Sequence, residues 1–114
     1  MPYIHIKTNI MITKDKGDTV KEKLGQAITA IPGKSSGWLM QEIEDSCRLA
    51  FGGDHRQPCA MINVMLYGSA PESAYDELTA RITEIMETEF LIPANRIYVC
   101  YSEHQHWGWN GSNF

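Results

Sequence analysis

Two similar halves make up this chain, and that internal repeat restricts its fold more than any other feature. Residues 3–10 alternate, with Ile4, Ile6 and Ile10 on one face and His5, Lys7 and Asn9 on the other, the period of a strand. Thr13 or Asp18 then opens a helix whose Val20, Leu24, Ala27, Ile28 and Ile31 recur at helical spacing until Pro32-Gly33 ends it. A second strand over 38–44 follows. The order then repeats. Ala60–Tyr67 is a nearly continuous apolar run, suited to a strand covered on both faces. Ser69-Ala70-Pro71-Glu72 reads as a capping box with Ser69 at the N-cap. Tyr75, Leu78, Ile82, Ile85 and either Glu89 or Phe90 mark one side of the second helix, which Ile92-Pro93-Ala94-Asn95 closes as Ile31-Pro32-Gly33-Lys34 closes the first. Residues 96–102 supply a fourth strand.

Each half is therefore strand–helix–strand, for which a parallel pair with a right-handed crossover is the expected geometry. Two such units predict an α+β fold: a four-stranded sheet with both helices on one face, in one domain spanning 1–114. The second face of that sheet carries Met40, Met61, Met65, Tyr98 and Tyr101, which predicts that it packs against copies of the same chain. With 114 residues, a monomer of this kind leaves much apolar surface uncovered.

Composition narrows the partners. A net charge of −4 argues against nucleic acid, because a phosphate-tracking surface is basic. No apolar stretch approaches membrane-spanning length, and 1–7 has neither a basic leader nor an apolar core, so a cytoplasmic protein is expected. Cys47, Cys59 and Cys100 are too widely spaced for a zinc or disulfide pattern, and free thiols are expected. His104 and His106 form a His-x-His pair, but two ligands do not make a metal site, so neither metal nor cofactor is expected.

One dipeptide carries chemistry. Pro2 follows Met1 directly, and trimming of Met1 would leave a secondary amine in a rigid ring. Such a nitrogen is a general base once its pKa is brought near the working pH.

Pro2, Thr8-Asn9, Gly33-Lys34, Phe51-Gly52-Gly53, Pro58-Cys59-Ala60, Arg96-Ile97-Tyr98-Val99 and 108–114 occur in the order of a known family. Over its full length the chain resembles the macrophage migration inhibitory factor family of the tautomerase superfamily. The resemblance implies a homotrimer whose sheets line a central barrel, with an active site at each subunit interface. It implies Pro2 as catalytic base, Lys34 as the cation beside it, and Tyr67 as the residue whose backbone N–H holds a substrate carboxylate. Trp38, Tyr98, Trp107, Trp109 and Phe114 correspond to pocket walls, with Tyr98 supplied by the neighbouring subunit. Cys100 stands where cytokine members usually have an asparagine that meets a ring hydroxyl. Cys59-Ala60-Met61-Ile62 also lacks the second cysteine of their Cys-x-x-Cys motif.

The implied activity is cofactor-independent keto–enol tautomerisation of a small aromatic α-keto acid such as phenylpyruvate. The resting base must be unprotonated. A like charge about 5 Å away at an effective dielectric of about 20 costs ~3 kcal/mol, or roughly two pKa units. Lys34 is thus read as the main cause of a depressed Pro2, with the apolar pocket as helper. The alternative is a cytokine-like protein that meets a protein receptor and leaves cells without a signal peptide. Dehalogenation or decarboxylation of unsaturated acids ranks third, because Arg48, Arg56, Arg81 and Arg96 lie in turns, on the second helix or at its exit.

Overall fold

A computed structural model describes residues 1–114. The first half is β1 (Pro2–Thr8), α1 (Lys14–Ala27) and β2 (Met40–Glu44). The second is β3 (Ala60–Tyr67), α2 (Glu72–Phe90) and β4 (Ile97–His104), followed by the short strands β5 (Gly108–Trp109) and β6 (Ser112–Asn113). β1 pairs parallel with β2 and β3 with β4. The halves meet where β1 runs antiparallel to β3, giving the order β2-β1-β3-β4. This is the α+β architecture that the repeat implies.

The core lies between sheet and helices. Ile4, Ile6, Ile62, Val64 and Leu66 project from the central strands onto Val20, Leu24, Leu78, Ile82 and Met86, and all are fully buried. Thr13 caps α1 by accepting the Lys16 N–H at 3.3 Å. The capping box at Ser69 does not form: Pro71 is the N-cap and Glu72 the first helical residue. A residue preceding proline is pushed out of the helical region, so Ala70 cannot begin the helix. Phe90, not Glu89, reaches the core; Glu89 instead bridges to Lys16 at 3.2 Å and Lys23 at 2.6 Å on α1.

The repeat breaks at one glycine. Gly33 has φ +79° behind Pro32, and the Lys34 N–H returns to the Ile31 carbonyl at 3.1 Å, a type II turn. Ala94 holds Gly33's place in the second copy, where the chain winds into a 3-10 turn over Ala94–Arg96. Another such turn occupies Ser36–Trp38, so β2 begins at Met40 and Trp38 precedes the strand.

Between β2 and β3 the loop is tied by side chains to backbone. Asn9 Nδ2 donates to the carbonyls of His55 (3.1 Å) and Gln57 (2.8 Å), while its Oδ1 accepts the Cys59 N–H at 2.9 Å. Arg96 donates to the carbonyls of Pro58, Asp54 and Gln57 and lies over the Phe51 ring. Phe51 in turn packs on Tyr98, ring centroids 5.0 Å apart. Asn9→Ala removes three of these bonds and is expected to cost about 1–3 kcal/mol. The measurement is a denaturant midpoint together with amide exchange, which should rise over residues 46–59.

The open face of the sheet is more polar than the sequence suggests. Tyr101 turns the other way, bonding Thr79 at 2.7 Å on α2. Register sets the remaining face in rows: Met40, Tyr3, Met65, Ser102; then Glu42, His5, Asn63, Cys100; then Glu44, Lys7, Met61, Tyr98. Met40 and Tyr98 stand exposed at its edges, while its middle is charged or polar.

Candidate active site

Pro2 opens β1, a position where a strand tolerates the missing N–H, and it is buried opposite Leu66. One step beyond that pair, the Tyr67 N–H donates to the Met1 carbonyl at 3.1 Å. Lys34, held by its type II turn, reaches across and donates from Nζ to the Tyr67 carbonyl at 2.9 Å. Chain terminus, ammonium and a backbone N–H thus converge on the end of β3.

Electrostatics at this corner favour an uncharged amine. The Met1 amine is lowered from 8.0 to about 6, first by burial and then by the Lys34 ammonium. This order belongs to the Met1 amine; the expectation that Lys34 leads concerns the Pro2 nitrogen once Met1 is gone. Burial dominates because desolvation penalises the charged form whatever its neighbours are.

Aromatic rings form a wall alongside. Tyr67 packs on Phe114 at 5.4 Å, Phe114 stacks on Trp109 at 6.4 Å and 4°, and Trp109 meets Trp38 edge-on at 4.9 Å. The β5–β6 hairpin presents two of them. Its turn is Asn110-Gly111, both at positive φ, which is the type I′ geometry. Trp38, Trp109 and Phe114 each remain about half exposed.

The other sequence-derived residues lie elsewhere in the same chain. Trp107 packs on His104 and lines a groove of about 510 Å³ with Tyr3, Met40 and Met65. Tyr98 and Cys100 are exposed on β4, opposite Met61 and Asn63 rather than Leu66. Tyr98 is thereby five residues along β3 from Pro2's partner, about 17 Å at strand spacing. All three cysteines are free. His104 contacts Ser102 at 3.2 Å, and the His-x-His pair gathers no third ligand. Sequence reading missed the Tyr67 carbonyl as the anchor of Lys34, since a backbone acceptor leaves no mark in residue identity. The hairpin did leave one, the Asn-Gly pair.

Relatives bear on this arrangement. The family model described as Macrophage migration inhibitory factor (MIF) matches residues 1–114. The Xenopus laevis macrophage migration inhibitory factor is 28% identical, over 100% of this chain and 99% of its own length. Leishmania major MIF2 superposes with a TM-score of 0.92 at 30% identity, covering 100% of this chain and 97% of the other. The Toxoplasma gondii factor gives 0.89 at 23% identity, over 98% and 99%. With the family pattern matched from end to end, the chain belongs to the macrophage migration inhibitory factor family.

Proposed function

We propose that this chain is a cofactor-independent keto–enol tautomerase for small aromatic α-keto acids, phenylpyruvate among them, with the nitrogen of Pro2 as general base. The observation that carries the reading is the double role of Met1. It holds the Pro2 nitrogen as an amide, and its carbonyl occupies the Tyr67 N–H at 3.1 Å. Removing Met1 frees a base and a carboxylate-binding donor together, beside the Lys34 ammonium.

In this mechanism the substrate carboxylate sits between Lys34 and the Tyr67 N–H. Pro2 takes a proton from the carbon next to the ketone, and negative charge develops on the ketone oxygen near Lys34, which stabilises it. Returning the same proton to that oxygen completes the enol. The reverse steps give the keto form, and no redox partner is needed. Trp38, Trp109, Phe114 and the Tyr67 ring cover the substrate ring. We place Tyr98 and Cys100 of a neighbouring copy on the open side, in a homotrimer.

A solved neighbour of the same fold, TM-score 0.80 at 16% identity, is described as inactivated by 2-oxo-3-pentynoate. That reagent, an α-keto acid, supplies a probe: it should block activity and add its mass to the Pro2 peptide. The deciding assay is phenylpyruvate tautomerisation by protein whose mature N-terminus has been verified by mass spectrometry. Absence of turnover there would leave the second reading, a cytokine-like protein with a non-catalytic pocket, which full-length family membership also supports. No helix is long and apolar enough to cross a membrane.

Lys34→Ala should raise the Michaelis constant for carboxylate substrates and move the acid limb of the pH–rate profile to higher pH. The sign follows from removing a like charge, which makes the amine easier to protonate. In protein retaining Met1, the terminal amine should titrate above about 6 yet stay below 8.0, because burial remains. An unchanged profile together with an unchanged Michaelis constant would reduce Lys34 to a lysine at a helix end.

A further inference from the structure

We infer that His5, Glu42 and Glu44 form a divalent-cation site on the open face of the sheet, of a chemistry suited to Zn²⁺. β1 and β2 pair in parallel so that His5 faces Glu42 directly and Glu44 diagonally. One ligand atom from each of the three lies within 4.8 Å of the others. His5 Nε2 is 2.5 Å from Glu44 Oε1 and 3.9 Å from Glu42 Oε1.

Tetrahedral zinc with N and O ligands at about 2.0–2.2 Å separates those ligands by roughly 3.3 Å. The first gap must open by about 0.8 Å, the second close by about 0.6 Å, and the two carboxylate oxygens, within 4.8 Å of each other, approach by up to about 1.5 Å, which the two glutamates' side-chain torsions allow. The imidazole is mostly buried, at 17% exposure, and so is held in place, whereas the carboxylates at 51% and 43% can adjust. Tyr3 donates to Glu42 Oε1 at 2.6 Å, the kind of outer hydrogen bond that orients a ligating carboxylate.

Charge points the same way. Two carboxylates share a single imidazole, and neither has a lysine or arginine within 4 Å. Lys7 is the cross-strand neighbour of Glu44 but makes no ion pair with it. One imidazole and two carboxylates suit a borderline cation, with water completing the shell. Strand parity puts the site on the face opposite buried Pro2, in the cross-strand row that continues through Asn63 to Cys100.

The test is calorimetric titration of the full chain with ZnCl₂, paralleled by the visible spectrum with Co²⁺. One equivalent per chain is expected. His5→Gln and Glu44→Gln should each weaken binding by at least about 100-fold, and Tyr3→Phe by about tenfold. His104→Gln/His106→Gln should bind as the parent does. Circular dichroism and thermal melting, with Zn²⁺ raising the parent's Tm and not that of Glu44→Gln, check that the variants fold. Absent binding, meaning only a His5–carboxylate ion pair, overturns the inference. Binding unchanged in His5→Gln, or lost in the His104/His106 variant, overturns it equally.

Discussion

Pro2→Gly is expected to keep the fold and lose tautomerase kcat/KM by about 10²–10⁴, the usual worth of a positioned general base. The substitution leaves a terminal amine but removes the ring that fixes its direction, and it loosens the start of β1 by only about 1 kcal/mol. Retention of Met1 strikes two parts of the proposed site at once: the Met1 carbonyl keeps the Tyr67 N–H that would meet the substrate carboxylate, and the Pro2 nitrogen stays an amide. An amide nitrogen has no basic lone pair, so activity should fall at least as far as in Pro2→Gly. The two proteins should melt close to the trimmed parent. Full turnover by protein with a verified blocked terminus would remove Pro2 from the mechanism.

How much of this was legible in the sequence depends on whether the signal is periodic. The alternation of Ile4 and Ile6 and the helical spacing of Val20, Leu24 and Leu78 mark buried faces, and the structure buries them fully. Two strand–helix–strand units then leave few topologies open, and the observed sheet order is among them. Boundaries are less visible because they are set by single peptides. Pro71 moved the start of α2 past Ser69, and the turn at Ser36–Trp38 shortened β2. The meeting of His5 with Glu42 and Glu44 was invisible for another reason. It is fixed by register between strands some 40 residues apart, and nothing local to His5 or Glu42 announces it. Lys34 and Tyr67 entered through the family's pattern; their distance is a product of the β1–β3 pairing and the Gly33 turn.

Mixing two inactive variants should restore activity if, as proposed, each pocket is shared between subunits of a trimer. One chain half-exposes Trp38, Trp109 and Phe114 around Pro2, while Tyr98 and Cys100 face outward far along the sheet. A neighbouring copy that brings its β4 against this corner would close the pocket. Subunits carrying Pro2→Gly supply an intact Cys100 face, and subunits carrying Cys100→Phe supply an intact base beside Lys34. In a cyclic trimer holding both kinds, one of the three interfaces pairs the two intact partners. Random equal mixing therefore yields roughly one quarter of the parent's sites. Each variant alone should show almost none, and light scattering should give a trimer for both parents and the mixture. The rescue should also be lost when both changes sit on the same subunit and are mixed with Pro2→Gly chains, because no subunit then supplies a base. Verified mixed trimers without recovered turnover, or a monomer at working concentration, would mean that each chain builds its pocket alone.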